Sequence, residues 1–183
     1  RTGPLRYGVS EAEARELGWV CCDNTHYAEP RGWWTRQELE AALAAAPTGG
    51  TLTFYDAACG LPLYTAPVGR SMAEFIEESR HHGWPSFREA EIVGANVQMV
   101  TGGELRSTCG THLGHDLPDA RGTRHCINLL CIAGAPSAGG NATATYATST
   151  STSTSPTSLL GVSGSPRAAA TLASGLALLT LAY

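Results

Sequence analysis

The alternation of apolar and polar residues along the first 133 positions separates into three helical signals and a larger number of short extended ones. Ser10-Glu11-Ala12-Glu13, Thr35-Arg36-Gln37-Glu38 and Ser71-Met72-Ala73-Glu74 each place a hydroxyl three residues before a Glu. That is the capping-box spacing, and it predicts helices over about 11–17, 36–46 and 72–81. In the second, Leu39, Ala42, Leu43 and Ala46 fall on one helical face, which reads as the side turned to a core. Thr51 to Tyr55 and Leu61 to Tyr64 flank a Cys-Gly turn and predict a hairpin. Val97 to Val100 and Glu104 to Ser107 flank Thr101-Gly102-Gly103 and predict a second. Arg124 to Ile132 is apolar and branched, the pattern of one buried strand. No long helix alternates with these strands, which argues against a doubly wound parallel sheet and favours a mainly β, antiparallel fold with a few short peripheral helices.

Composition changes this picture at one end only. The chain has 183 residues, 43% hydrophobic and 15% charged, with a formal net charge of −4. All 12 basic residues are Arg, and no basic stripe of the kind that binds nucleic acid is present. From Gly134 to Tyr183 the sole charge is Arg167, whereas every Cys, His and Trp lies before it. The folded domain is therefore read as residues 5–133, followed by a Ser/Thr-rich linker or stalk over 134–167 and an apolar tail over 168–183. Thr148 to Ser158 is Ser or Thr at every position but Pro156, too polar to offset chain entropy, so a disordered tail is expected. Asn141-Ala142-Thr143 is a glycosylation sequon. Small residues, a spacer and a terminal apolar stretch match a lipid-anchor attachment signal, the alternative being a low-complexity extension. Membrane association is expected only through such an anchor, and localisation stays open.

The candidate chemistry is concentrated near the end of the folded part. With Arg124 to Ile132 extended, Arg124, Cys126 and Asn128 share one face, and His125, Ile127, Leu129 and Cys131 the other. A thiol beside a guanidinium and an amide is in a setting that lowers its pKa, although most free cysteines are buried core residues. His112-Leu113-Gly114-His115 offers either two metal ligands or a general acid. Gly83-Trp84-Pro85-Ser86-Phe87 reads as a helix stop followed by an aromatic plug.

Taken together, Gly83-Trp84-Pro85-Ser86-Phe87, His112-Leu113-Gly114-His115 and Arg124-His125-Cys126-Ile127-Asn128 resemble the methionine-R-sulfoxide reductases of the MsrB type, in order and spacing. The likeness runs from about Phe54 to Gly134, with His125 where the family usually has Tyr. It implies two antiparallel sheets and a thiol-dependent reduction of methionine-R-sulfoxide, peptide-bound or free. Cys126 would be the nucleophile, passing through a sulfenic acid. His112 and His115 would hold or protonate the sulfoxide oxygen, Asn128 and Arg124 would support them, and Trp84 and Phe87 would contact the substrate.

Departures from the family pattern bear on metal and turnover. Many members hold zinc with two C-x-x-C pairs, but here Asp56 precedes Cys59 and Arg106 precedes Cys109. Zinc is therefore not expected, and Cys59 and Cys109 are read as a disulfide or as two reduced thiols. The family's resolving position, two residues before Trp84, holds His82. Cys131, on the far face of an extended strand, is a poor substitute, which leaves an external thiol reductant of the thioredoxin kind first and Cys21 or Cys22 second. Asp116-Leu117-Pro118-Asp119-Ala120 replaces the family's turn at the rim of the site. No dinucleotide fingerprint or phosphate loop indicates an organic cofactor. The other reading of the same residues is a catalytically silent peptide- or thiol-binding module on a stalk.

Overall fold

The computed structural model describes residues 3–22, 28–47 and 49–137. The tail readings, the sequon included, lie outside the described residues from position 138 onward. Two of the three expected helices form with complete capping boxes. In α1 (Glu11–Leu17) Ser10 accepts from the Glu13 amide, and in α3 (Met72–His82) Ser71 accepts from the Glu74 amide. Gly83 ends α3 at φ 93°, where a Cβ would lie 2.4 Å from the Arg31 side chain, so both the turn and the packing require glycine.

The second helix is shorter than its pattern predicts. A 3₁₀ turn, Trp33–Arg36, comes first, Gln37 is extended, and α2 spans only Leu39–Ala44. The Thr35 hydroxyl donates to the Gly32 carbonyl instead of capping, and the Glu38 amide donates to the Tyr7 carbonyl. Burial of Trp33 and Trp34 draws the chain into the core one turn too early for a continuous helix. Leu39 and Leu43 keep their buried face, as the stripe anticipated.

The strands form two antiparallel sheets. β1 (Leu52–Tyr55) and β2 (Pro62–Ala66) make the first hairpin. The second sheet holds β3 (Ser86–Arg88), β4 (Val97–Met99), β5 (Glu104–Ser107), β6 (His112–Asp116) and β7 (Arg124–Ile127), in the order β3-β7-β6-β5-β4. The expected long strand Arg124 to Ile132 is corrected: it ends at Ile127 and turns at Asn128 into α4 (Leu129–Ile132). All four residues of α4 are buried, so a helical turn meets the same apolar demand that a strand would have met.

An aromatic cluster joins the parts. Phe87 of β3 stacks on Tyr64 of β2 at 4.2 Å, meets Phe54 of β1 edge-on at 5.0 Å, and lies 5.3 Å from Phe75 of α3. An ionic network lies beside it: Arg70 contacts Glu78 and Glu91, and Arg88 contacts Glu78 and Asp119. Among the described residues no helix is long and apolar enough to cross a membrane.

Four of the six cysteines are paired. Cys59 and Cys109 form a disulfide with Cα atoms 6.5 Å apart, which is one of the two states anticipated for them. Cys21 and Cys131 form a second, with Cα atoms 5.3 Å apart. The expectation that Cys131 projects away on a strand fails because α4 folds it back against the 3₁₀ turn Gly18–Cys21. Cys21 is accordingly not a free thiol, whereas Cys22 and Cys126 are. Under non-reducing conditions the intact mass should sit about 4 Da below that of the fully reduced chain. Alkylation in denaturant should then label Cys22 and Cys126 alone. Replacing Cys59 and Cys109 together by Ala should lower the free energy of unfolding, read by urea titration, by about 2–4 kcal/mol.

Candidate active site

The register of the five-stranded sheet sets Cys126 of β7 between Ser86 of β3 and His115 of β6. The strands approach tightly at Gly114, where a Cβ would lie 2.0 Å from the Cys126 carbonyl oxygen. Any side chain at that position would push β6 off β7 and carry the two histidines away from the thiol. Around this crossing lies a cavity of about 160 Å³. Cys126, Trp84, His112, His115 and Asn128 line it, with Ala28 and Leu117 at its wall.

Each lining group is held by a specific partner. Asn128 donates through Nδ2 to the Leu113 carbonyl at 3.1 Å and accepts at Oδ1 from the Glu29 amide at 2.9 Å. The Trp84 indole N–H donates to the Glu29 carbonyl at 2.9 Å, which anchors the ring as one wall. His112 is fully buried; its Nδ1 is paired with Glu104 Oε1 at 2.8 Å, and its Nε2 has no partner among the described groups. Glu104 also accepts from Arg106 at 2.7 Å, and both contacts hold its carboxyl below the usual range against the effect of burial. The His112 and His115 rings lie 5.5 Å apart. A carboxylate on Nδ1 selects the orientation that leaves Nε2 available to a bound group.

Arg124, on the same face as Cys126, is buried, with its Nε 3.6 Å from Asp119 Oδ2. Arg88 and the Arg121 amide hold Asp119 far below the usual carboxylate range. The thiol itself departs from expectation. Burial pushes Cys126 above its ordinary pKa, and the charge and hydrogen bonding of Arg124 offset this only in part. The ionised Glu29 carboxyl adds to the rise. At neutral pH the resting group is therefore a thiol, because desolvating the anion outweighs one nearby guanidinium.

Other anticipated residues fall elsewhere. Phe87 is fully buried in the aromatic cluster and does not line the cavity. His125 points to the opposite face, where its Nδ1 meets the Tyr64 hydroxyl at 3.2 Å and burial lowers its pKa. Cys22 is exposed at the end of its 3₁₀ turn. At the corner between the first hairpin and the turn after β5, Asp56, Cys59 and Cys109 bring their ligand atoms within 4.8 Å of one another. Both sulfurs are bonded to each other, and Asp56 Oδ1 accepts from Thr111 and from two amides. Arg106, at the fourth family position, binds Glu104. In this state the corner does not fit a zinc ion, which needs thiolates.

Two residues of the site were not singled out from the sequence. Glu104 stands at the start of a strand with no motif to mark it. Glu29 lies 99 positions from the Asn128 it binds, so no local pattern could have paired them.

The arrangement is that of a cysteine-centred site: a protonated thiol beside an arginine, faced by two histidines and an indole on an antiparallel sheet. The chain is 38% identical over 90 residues to the peptide methionine sulfoxide reductase MsrB of Thiobacillus denitrificans, covering 44% of this chain and 62% of that one. The MsrB of Leifsonia xyli subsp. xyli is 31% identical over 110 residues, covering 54% of this chain and 68% of that one. That of Pseudomonas fluorescens Pf0-1 is 28% identical over 89 residues, covering 47% and 56%. No family model and no solved structure matches. The chain belongs to the MsrB family. It spans less than two thirds of the length of the Thiobacillus and Pseudomonas relatives, at 62% and 56%.

The buried Glu29 makes stability depend on pH. Burial raises its folded pKa to about 8, whereas an unfolded Glu titrates near 4.5. Between these values the folded state binds more protons, so stability is lost as pH rises through the window. His125, with a lowered pKa, acts in the opposite sense. Urea unfolding at pH 5 and pH 8 should therefore be compared between the wild type and Glu29→Gln. The difference between the two proteins should grow in favour of the variant at pH 8, on the order of a few kcal/mol.

Proposed function

We propose that this chain reduces methionine-R-sulfoxide, in proteins or as the free amino acid, with Cys126 as the nucleophile. The observation that carries the reading is the convergence of Cys126, Trp84, His112, His115 and Asn128 on one cavity of about 160 Å³. The name shared by its relatives supplies the substrate class. In the first half-reaction the Cys126 sulfur attacks the sulfoxide sulfur and takes its oxygen. The S–O bond to methionine breaks, the sulfoxide is reduced to the thioether, and Cys126 becomes a sulfenic acid. The thiol carries its own proton, so the step needs relay to the oxygen and no outside donor. His112 Nε2, buried and unpartnered, is suited to that relay, with His115 beside it. Trp84 offers an apolar wall to the methyl group, and Asn128 and Arg124 steady the thiol's side.

In the second half-reaction two external thiols reduce the sulfenic acid, releasing water and regenerating Cys126 with their own oxidation to a disulfide. A thioredoxin-like reductant fits this role. With Cys21 bonded to Cys131, Cys22 is the internal thiol that is free to take this role instead. No cofactor is required in this scheme, and zinc has no part in it.

Dabsyl-methionine-R-sulfoxide with dithiothreitol tests the first step. The wild type should convert the R epimer and leave the S epimer, while Cys126→Ser should lose activity by at least about a hundredfold. No conversion by the wild type would favour the silent binding module instead. Cys22→Ser should keep thioredoxin-coupled turnover within about twofold of the wild type under direct external reduction. A collapse of turnover with the single-turnover step preserved would assign resolution to Cys22.

A further inference from the structure

The buried turn α4 begins at Asn128, a residue type that ordinarily caps the helix it precedes. Here its side chain makes no cap. Asn128 Oδ1 accepts from the Glu29 amide at 2.9 Å, and Nδ2 donates to the Leu113 carbonyl at 3.1 Å. Both ends of the side-chain amide are therefore committed to the wall of the cavity. The amides at the start of α4 still need an acceptor, because Leu129 and Leu130 are buried. A remote carboxyl supplies it: the Leu130 amide donates to Glu29 Oε2 at 3.0 Å. Leu130 is the second residue of α4, the position whose amide an N-cap Asn would itself have bound. The other links of residue 29 to the site run through its backbone, from its amide to Asn128 and from the Trp84 indole to its carbonyl. The task of the carboxyl is thus separable from the rest of the residue.

We propose that Glu29 is a positioning residue: its carboxyl occupies the cap of α4 in place of Asn128 and so keeps the Asn128 side chain in the site. The proposal rests on the reading of this cavity as the place of reaction. Without the carboxyl, the Leu130 amide becomes a buried donor with no acceptor, which is costly. The acceptor the chain itself carries at that helix start is Asn128 Oδ1, and a change of rotamer turns it there. That rotation gives up the bonds to the Glu29 amide and the Leu113 carbonyl and takes the side-chain amide out of the cavity wall. The strands need not move with it. The Asn128 backbone amide still donates to the Leu113 carbonyl at 2.9 Å, and the pairing of β6 with β7 is untouched. Trp84 also keeps its anchor, since the carbonyl of residue 29 is present whatever its side chain. The effect therefore falls on the reacting side of the cavity and spares the apolar wall.

The test is the NMR signal of the Asn128 side-chain amide in the full chain, with asparagine labelled by nitrogen-15 and the pair assigned by its loss in Asn128→Ala. In Glu29→Ala the pair should shift, and its exchange with solvent should quicken by about tenfold or more. In Glu29→Gln, whose amide oxygen can accept the same bond from Leu130, it should stay at the wild-type position. A cap that serves α4 alone would lower stability and leave the Asn128 pair unmoved, which would overturn the proposal. So would a Gln variant that behaves like the Ala variant. Kinetics give a second readout: kcat for dabsyl-methionine-R-sulfoxide should fall about tenfold in Glu29→Ala, with KM within about twofold, and recover in Glu29→Gln. An unchanged kcat in a variant whose Asn128 pair has moved would count against the positioning role. Should Glu29→Ala fail to fold, the wild type decides. Nuclear Overhauser contacts should run from the Asn128 side-chain amide to Leu113, and a side chain turned to the Leu130 amide instead would overturn the proposal. The NMR measurements use no sulfoxide, so a failed reductase assay and a failed role for Glu29 are distinguished.

Discussion

The contact on which this molecule depends is the backbone approach of β6 to β7 at Gly114. It sets the register that brings His115 opposite Cys126, and through Leu113 it receives the hydrogen bonds of Asn128. Cys126, Arg124, His112, His115 and Asn128 come from these two strands or the turn that ends β7, whereas Glu104 belongs to β5, Leu117 follows β6, and Trp84 and the residues around position 28 come from other segments. The sheet order β3-β7-β6 then adds Trp84 from the opposite side, just before β3. The aromatic cluster of Phe54, Tyr64, Phe75 and Phe87 lies on the other face of β7 and β3, so the apolar driving force and the chemistry occupy opposite sides of the same strands.

At Cys126 and Glu29 burial decides the proton affinity, whereas at Glu104 and Asp119 the paired groups prevail. A guanidinium next to a thiol suggested a ready thiolate, but removing the sulfur from water favours its neutral form by more than Arg124 restores. The same balance keeps Glu29 protonated, and it leaves His112 oriented by Glu104 with a free Nε2 toward the cavity.

The six cysteines divide into three kinds by what surrounds them. Cys59 and Cys109 close the corner that holds the first hairpin to the turn after β5. Cys21 and Cys131 tie the N-terminal segment to α4, directly after the strand that carries Cys126. The thiols that stay free are the half-buried Cys126 and the exposed Cys22. Covalent closure of both long loops restricts the unfolded chain.

The sequence by itself determined what depends on neighbours within a few residues. The capping boxes at Ser10 and Ser71, the two hairpins and the shared face of Arg124, Cys126 and Asn128 follow from local hydrogen bonding and strand alternation. The three motifs also marked five of the cavity's groups. Only the tertiary structure decided where β7 stops, why the helix begun at Thr35 breaks around Trp33 and Trp34, and which cysteines pair. It also decided that Phe87 belongs to the core, and that a Glu from position 29 holds both Asn128 and Trp84. The reason is physical: burial, and the proton affinities that burial sets, arise between segments up to a hundred residues apart. No local pattern encodes them.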